Sequence, residues 1–197
     1  MVGIFLQIIE YYINMGKQAI VLVPEISLTP QMVDRFVGRF GDKVSVLHSA
    51  LSQGEKFDEW TKILNGEVSV AIGARSAVFA PFENLGIIII DEEHSDTYKQ
   101  SDPSPRYHAR DIAILRSKYH NCSVVLGSAT PSLETKARAW KNVYHQLYLK
   151  NRISNHGLPQ VEVVDMLKEI KSGNYSIFSN NLKEKINKCL ENNEQVL

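Results

Sequence analysis

The chain alternates between short, largely apolar runs and longer stretches in which apolar residues recur at helical spacing. Runs of this length with almost no polar residue are typical of strands covered on both faces of a sheet. Five such strands are predicted, at 19–23, 44–47, 68–72, 85–90 and 123–126. Because strands that alternate with helices indicate βαβ units, the sequence predicts an α/β fold with a parallel sheet and helices on both faces.

Capping residues mark the starts of the helices between these strands. Three of the starts are a Ser or Thr followed by Pro, which suits an N-cap and the first helical residue. They are Thr29–Pro30, Ser104–Pro105 and Thr130–Pro131. A fourth start is the capping box Ser52–Glu55, and an apolar stripe from Ile4 predicts a first helix that ends near Gly16.

The last quarter of the chain has a different character. Gly, Pro, Ser and Asn cluster in residues 151–160, which we interpret as a linker between a first domain, 1–150, and the start of a second, 161–197. In the second domain we expect a strand at Val161–Val164 and a helix from about Asn181. Since one strand cannot build a sheet, we interpret the chain as a shortened part of a longer protein.

Charge and cysteine content narrow the class of protein. Lys and Arg total 22 and Asp and Glu total 22, so any contact with nucleic acid must come from a local patch. The two cysteines, Cys122 and Cys189, lie far apart, which excludes a disulfide framework and a cysteine-rich zinc site and fits a reducing cytoplasm. The longest purely aliphatic run, Ile87–Ile90, is too short to cross a bilayer, so we expect no membrane contact.

Two polar motifs follow the fourth and fifth predicted strands. The first is Asp91-Glu92-Glu93-His94, and the second is Gly127-Ser128-Ala129-Thr130. Ligands bind at the carboxyl ends of parallel strands, so we expect both motifs at one edge of the sheet. A carboxylate there can hold Mg²⁺ while its neighbour orients a water molecule. Taken singly, the first motif would fit a solvated loop and the second a plain N-cap.

The segment from Ser95 to His120 interleaves aromatic and cationic side chains. Aromatic rings beside positive charge suit a single DNA strand or a fork. From Tyr98 to Arg110 this interpretation and that of ordinary packing residues stay equally open. Beyond Arg110, an amphipathic helix with long cationic side chains explains the pattern better. The histidines lack the spacing of metal ligands, so we expect no zinc.

A phosphate-binding loop is missing from the sequence. The pattern G-x-x-x-x-G-K-[ST] occurs nowhere. The one Gly-Lys pair, Gly16–Lys17, is followed by Gln18 and has Tyr11 where the upstream glycine belongs. The acidic motif and the Ser/Thr turn therefore predict half of a nucleotide site.

Seven longer motifs extend over nearly the whole chain. They are LVPEISLTPQ (22–31), VLHSALSQGEKFDEW (46–60), GARSAVFAPFENLGIIIIDEEH (73–94), YKQ (98–100), PRYHARD (105–111), VVLGSATPSLE (124–134) and LPQVEVVDM (158–166). Together they resemble the PriA family of bacterial replication-restart helicases, also called primosomal protein N′. LVPEI-LTPQ and PRYHARD separate this family from other superfamily 2 proteins, whereas DEEH and GSAT alone would not.

The resemblance implies a RecA-like first motor lobe, lacking its phosphate-binding loop, of an ATP-dependent 3′-to-5′ DNA helicase. Residues 161–197 would then begin the second motor lobe, and ATP and Mg²⁺ would be the cofactors of the complete protein. Asp91 matches the family's Mg²⁺-coordinating aspartate, and Glu92 matches the glutamate that activates water. His94, Ser128 and Thr130 match residues that couple the state of the nucleotide to DNA binding.

The resemblance also implies DNA contacts from two strand ends and from the aromatic loop. The residues concerned are Pro24, Glu25, Thr29, Gln31, Gly73, Arg75, Ser76, Tyr98, Lys99, Arg106, Tyr107, His108 and Arg110. The implied partners are forked or single-stranded DNA, other primosome proteins and single-strand-binding protein. One departure is Ala74, which stands where the family usually has Thr.

Two other interpretations stay open. One is a non-catalytic DNA-binding module, and the other is the motor lobe of a different superfamily 2 translocase. Because phosphate cradling supplies much of the transition-state stabilisation in phosphoryl transfer, we expect the chain alone to have no DNA-stimulated ATPase activity.

Overall fold

The computed structural model describes residues 2–149 and 160–196. In chain order the elements are α1 (Val2–Asn14), β1 (Gln18–Leu22), α2 (Pro30–Phe40), β2 (Val44–Leu47), α3 (Gln53–Leu64), β3 (Val70–Gly73), β4 (Leu85–Ile90), α4 (Ala109–His120), β5 (Ser123–Leu126), α5 (Leu133–Trp140), α6 (Met166–Lys171) and α7 (Asn180–Glu191). Short 3₁₀ helices lie at Glu25–Ser27, Gly41–Lys43, Arg75–Phe79 and Asp96–Tyr98. The chain divides into two compact units, Met1–Gln146 and Leu147–Leu197.

The five strands form one sheet in the order β2-β3-β1-β4-β5, and every pair is parallel. This confirms the predicted fold class. β1 is central, with Val21 opposite Ile72 of β3 and Ile89 of β4. Because all five strands run in one direction, their carboxyl ends lie along a single edge of the sheet.

Side chains that alternate along the strands build a separate core on each face of the sheet. One face packs against α1 and α2, through Phe5, Ile9 and Phe36 among others. The other face is covered by α3, α4 and two of the 3₁₀ helices. Burying each large aliphatic or aromatic side chain contributes roughly 1.5–3 kcal/mol. Burial on both faces therefore explains why the strands carry almost no polar residue.

Two helices begin later than the capping patterns predict. α4 begins at Ala109 rather than at Ser104–Pro105, because His108 accepts the backbone N–H of Arg110 at 3.2 Å and acts as the N-cap. The preceding segment is closed by a backbone hydrogen bond from Gln100 to Tyr107. α5 begins at Leu133 rather than after Thr130, since Ser132 is its N-cap. As a result, Arg110 lies in the first turn of α4 and Ser132 caps α5, and both side chains belong to the site described below.

The prediction of a strand at Val161–Val164 is wrong. These residues are not in a strand, and Val161 and Val163 are 83% and 92% exposed. A strand needs a hydrogen-bonded neighbour, and among residues 160–196 the structure has only the helices α6 and α7. The predicted helix from about Asn181 is confirmed as α7. Residues 151–159 of the expected linker lie outside the described residues, so the domain boundary stays a prediction.

None of the described helices is long and apolar enough to cross a membrane.

Candidate functional site

The carboxyl edge of the sheet has two sides. We call the ends of β4 and β5, with the motifs Asp91–His94 and Gly127–Thr130, the acid side. We call the ends of β1, β2 and β3 the groove side. The two motifs follow adjacent parallel strands, with Ile90 opposite Leu126. The prediction that they meet at one edge is therefore confirmed.

A tight turn holds the acidic motif at the end of β4. The backbone N–H of Asp91 donates to the carbonyl of Leu22 at 2.9 Å, which ties the turn to the central strand. The Asp91 Oδ1 accepts the N–H of Glu92 at 3.1 Å. Glu92 has a φ of 47°, a left-handed conformation that is costly for a residue with a side chain. Such a conformation marks a turn that its surroundings hold in place.

The environment of Asp91 disfavours its charged form. Burial raises the pKa of this carboxyl, and the nearby charge of Glu92 adds to the increase, while the hydrogen bond from the Glu92 N–H opposes it. A bound cation would favour the ionised carboxylate that burial disfavours. The site therefore suits a residue whose charge is matched by a metal ion.

His94 and Ser128 join the two motifs directly. The His94 Nδ1 lies 2.7 Å from the Ser128 Oγ and 3.6 Å from the Glu92 Oε2. The Ser128 Oγ also accepts the N–H of Thr130 at 3.0 Å. These contacts connect the Gly127–Thr130 turn to His94, and the coupling role stays a prediction.

Glu93 is the residue of the acidic motif that the sequence analysis left without a role. Its side chain is 1% exposed. It accepts hydrogen bonds from the N–H of Ser132 at 2.7 Å and from the hydroxyl of Thr135 at 2.8 Å. The Arg110 Nη1 lies 3.6 Å from its Oε2 and donates to the Thr135 hydroxyl at 3.2 Å. This network ties the acid side to the first turns of α4 and α5.

The network corrects the expectation that Arg110 lies on a DNA-binding surface. Its side chain is 9% exposed and is bound within the protein. In the sequence, Arg110 is one cation among several in an aromatic loop, and nothing local distinguishes it. The start of α4 at Ala109 places Arg110 in the first turn, where it reaches Glu93.

Tyr98 also requires a correction. Its ring is 1% exposed and belongs to the core beneath β4 and α4, so it cannot stack on a DNA base in this structure. Its hydroxyl donates to the backbone carbonyl of Asp91 at 2.6 Å. Of the two interpretations left open for this tyrosine, the structure supports that of a packing residue.

Other residues of the aromatic loop remain accessible. Lys99 and Arg106 are exposed, and Tyr107 is half-buried. The Tyr107 ring packs edge-on against Phe79, with centroids 5.1 Å apart, and the Arg75 guanidinium lies 5.8 Å from its centroid. The loop is thus packed against the segment that follows β3.

His108 is fixed as the N-cap of α4 and is not a free surface cation. Burial lowers the pKa of this imidazole, and the nearby charge of Arg110 lowers it further. The neutral ring suits its role as acceptor for the Arg110 N–H.

The groove side contains a groove of about 420 Å³. It is lined by residues that follow three strands and by part of α3: Glu25, His48, Ser49, Lys56, Ala74, Arg75, Ser76 and Thr97. Three of the expected DNA-contact residues, Glu25, Arg75 and Ser76, lie here. His48, Ser49 and Lys56 did not enter the expected site, although His48 and Ser49 directly follow a predicted strand.

Several groove residues are already bound to neighbours. The Arg75 Nη1 donates to the carbonyls of Thr97 and Lys99 at 3.3 and 3.1 Å. Glu25 accepts a hydrogen bond from the Ser49 hydroxyl, and Lys56 donates to the Ser49 carbonyl at 3.2 Å. The groove walls are therefore held together by hydrogen bonds that cross from one strand end to another.

The remaining expected contact residues have mixed placements. Pro24 is buried, and Thr29 is the N-cap of α2, accepting the N–H of Met32 at 3.3 Å. Gln31 is exposed on the first turn of α2. At Gly73 a Cβ would lie 2.2 Å from the Leu47 carbonyl oxygen, so this position serves close packing of β3 on β2.

The acid side fits a magnesium ion shared with a nucleotide. Mg²⁺ commonly takes one or two carboxylates together with phosphate oxygens and water. Within residues 2–149 and 160–196, no group of three or more His, Cys, Asp or Glu side chains is arranged to hold a metal. Asp91 would therefore hold the ion with help from phosphate and water oxygens.

Comparison with known proteins identifies the class. The family model for DEAD/DEAH box helicases matches residues 2–139. Since this is more than half of the chain, and the parallel sheet and strand-end motifs agree with it, the chain belongs to the DEAD/DEAH box helicase family.

Curated relatives within this class have a more particular name. The chain is 58% identical over 194 residues to the replication restart protein PriA of Bacillus subtilis and 48% identical over 184 residues to that of Synechocystis. The matches cover 98% and 89% of this chain but 24% and 22% of those proteins. The chain therefore spans about a quarter of the length of the relatives that it matches. The C-terminal domain of the DEAD-box protein Dbp5 aligns with a TM-score of 0.45 at 15% identity, covering 73% of this chain and 79% of that one.

Proposed function

We propose that this chain is the first motor lobe of an ATP-dependent DNA helicase that restarts stalled replication forks. The observation that carries the proposal is the contact between His94 and Ser128, which joins the acidic motif to the neighbouring turn at one edge of the sheet. Membership of the helicase family and the likeness to PriA proteins support the same activity. The rest of the motor would come from a longer protein.

On the acid side, Asp91 would hold a Mg²⁺ ion, and Glu92 would orient the attacking water and accept its proton. When bound, the metal neutralises charge on the phosphoryl group that ATP supplies. Asp91 is half-buried and tied to β1 through its backbone, which keeps its carboxylate in place. Glu92 is more open, with its side chain 39% exposed, so water can reach it.

The N-terminal end of α1 lies close to this site. A Cβ on Gly127 would lie 2.7 Å from the Phe5 ring and 3.4 Å from the Asp91 Oδ1, so a ring from the first turn of α1 lies beside Gly127 and near Asp91. The N-terminus of a helix favours phosphate, because its free N–H groups and its dipole point toward the ligand. We propose that the phosphates of the nucleotide lie between this end of α1 and Asp91.

On the groove side, we propose that one DNA strand lies along the ends of β1, β2 and β3. Arg75, Lys56 and the exposed Lys99 and Arg106 would contact its phosphates. Because the formal net charge is zero, binding by this chain would be weak and strongly dependent on salt. On the basis of the family resemblance, we also propose that the complete protein moves 3′-to-5′ along DNA. We further propose that it assembles with other primosome proteins and with single-strand-binding protein.

The test is an exchange of one carboxylate in a complete motor. We would build a chimera in which this chain replaces the matching segment of the Bacillus subtilis relative. In the chimera, Glu92→Gln should retain ATP binding and lose DNA-stimulated hydrolysis by about 100-fold or more, since water is no longer activated. Glu83→Gln is the matched control, because Glu83 is exposed and precedes β4 at the opposite edge of the sheet. Unchanged hydrolysis in Glu92→Gln would overturn the proposal.

A second measurement separates the motor lobe from a non-catalytic DNA-binding module. The 197-residue chain alone should show no DNA-stimulated ATPase activity, whereas the chimera should show it. Turnover by the chain alone that Asp91→Asn abolishes would refute the need for a phosphate-binding loop. DNA binding without hydrolysis in both proteins would favour the binding module.

A further inference from the structure

The ring of Tyr98 does not reach solvent, but its hydroxyl lies against the acidic motif. The donor is the phenol oxygen and the acceptor is the backbone carbonyl of Asp91, 2.6 Å away. That carbonyl belongs to the peptide group that joins Asp91 to Glu92. The two residues with chemical roles on the acid side therefore share a peptide that a core tyrosine holds.

Both polar groups of this peptide are bound. Its N–H, that of Glu92, donates to the Asp91 Oδ1, and its carbonyl accepts from Tyr98. The φ of 47° at Glu92 follows directly after this peptide. A left-handed conformation at a residue with a side chain costs on the order of 1–3 kcal/mol and persists only when its surroundings determine it. The two hydrogen bonds hold the peptide before Glu92, and backbone bonds from Glu93 to Gly127 and from Ser95 to Glu92 hold the turn after it.

Tyr98 is itself held firmly as a donor. The Arg75 Nη1 donates to the carbonyls of Thr97 and Lys99, the residues on either side of Tyr98. Burial raises the pKa of the Tyr98 hydroxyl far above its ordinary value, and the charges of Asp91 and Glu92 add to this. The hydroxyl is therefore protonated near neutral pH and donates to the Asp91 carbonyl.

We propose that Tyr98 is a positioning residue for the Asp91–Glu92 pair. Its hydroxyl sets the orientation of the peptide between them and so directs the Glu92 carboxylate toward the attacking water. This rests on the proposed function, in which Glu92 activates that water. Tyr98 itself touches neither nucleotide nor DNA.

The test removes only the hydroxyl. In the chimera, Tyr98→Phe should lower kcat about tenfold, as loss of a group that orients a catalytic residue commonly does, with KM for ATP changed less than about twofold. In the 197-residue chain, amide hydrogen exchange of the turn should become faster, at Glu93 and Ser95. These amides donate to the carbonyls of Gly127 and Glu92. DNA affinity should not change.

Tyr12→Phe is the matched control. The Tyr12 hydroxyl donates to the Ser123 Oγ at 3.1 Å, at the start of β5 and therefore at the other edge of the sheet. The Tyr12→Phe variant also loses only a tyrosine hydroxyl. In the chimera, its kcat should therefore equal that of the parent.

The outcomes separate this inference from the proposed function. If Glu92→Gln abolishes hydrolysis while Tyr98→Phe keeps the parent kcat, the positioning role is wrong and the proposed function stands. A lower melting temperature in Tyr98→Phe, with parent kcat per folded molecule, would likewise reduce Tyr98 to a packing residue. If Glu92→Gln hydrolyses ATP normally, the proposed function itself fails.

Discussion

The acid side and the groove side share one sheet edge but are built differently. On the acid side, Glu93 and Arg110 are almost completely buried and hydrogen-bonded to Ser132 and Thr135. On the groove side, Glu25 and Lys56 are exposed and bonded mainly to Ser49. Bond cleavage needs groups held within a fraction of an ångström, whereas contact with a moving strand needs accessible polar groups. The contrast therefore agrees with the proposed division between hydrolysis and strand contact.

The largest expected effect is on the buried network. Glu93→Ala should lower the free energy of unfolding by about 3–5 kcal/mol, because it leaves the Arg110 charge buried without its buried partner and with only the exposed Asp111 carboxylate nearby. Glu25→Ala is the matched change on the groove side and should cost less than about 1 kcal/mol, since that carboxylate is exposed. Urea unfolding of both variants of the 197-residue chain measures the difference. Equal losses would contradict the contrast between the two sides.

A second comparison uses a glycine from each side. Gly73→Ala should cost about 3 kcal/mol, because the new Cβ would lie 2.2 Å from a backbone oxygen, which cannot move aside. Gly127→Ala should cost about 1–2 kcal/mol, since the nearest atom is the end of the Phe5 side chain, at 2.7 Å.

Gly54→Ala is the control for these two variants. Among the described residues, a Cβ on Gly54 would have no atom within 4 Å apart from its chain neighbours and the backbone of α3, so stability should change by less than about 0.5 kcal/mol. Thermal unfolding of the three variants should rank them Gly73, Gly127, Gly54. A larger loss at Gly127 would show that α1 packs more rigidly than the core beneath β2 and β3.

A third prediction concerns the charge of Asp91. Burial raises the pKa of this carboxyl, so the folded protein binds the proton more tightly than the unfolded chain. The ionised group therefore costs stability at neutral pH, and this cost disappears as the pH falls through the folded-state pKa. Asp91→Asn should stabilise the chain by up to about 1 kcal/mol at pH 7, with no gain at low pH.

The measurement is urea unfolding between about pH 3 and pH 8. This range spans both the ordinary and the raised pKa values of carboxyl groups. Asp34→Asn on α2 is the control, because Asp34 is exposed and its replacement should change stability by less than about 0.5 kcal/mol. A stability gain in Asp91→Asn that grows as the pH falls would contradict a raised pKa of Asp91 in the folded protein.

The smallest expected effects concern the exposed cations. Lys99→Gln and Arg106→Gln should each reduce the slope of log affinity against log salt for single-stranded DNA by about one. Lys118→Gln, on the exposed part of the last turns of α4, should leave the slope unchanged. Tyr107→Phe should also have no effect, since the ring and not the hydroxyl would contact a base. A reduced slope in Lys118→Gln would contradict the proposal that the DNA strand lies on the groove side.

Local patterns were enough to predict the elements that bury apolar residues. Four consecutive isoleucines predict a covered strand whatever its neighbours are, and β4 is that strand. The failure at Val161–Val164 shows the limit of the same rule, because an apolar run forms a strand only where a partner strand is available. Likewise, three helix starts could be read as Ser/Thr–Pro pairs, but in α4 and α5 a competing cap formed further along.

The sequence by itself determined the parallel α/β sheet, the family, and the presence of Asp91, Glu92 and Ser128 at strand ends. These follow from periodicity and from short motifs, which depend on residues close together in the chain. Only the tertiary structure decided that Tyr98 and Arg110 face inward, and that Glu93 pairs with a residue 17 positions away. An aromatic or cationic side chain in a loop can pack or can bind a ligand. The outcome depends on which distant segment covers it, and the chain's local pattern does not encode that.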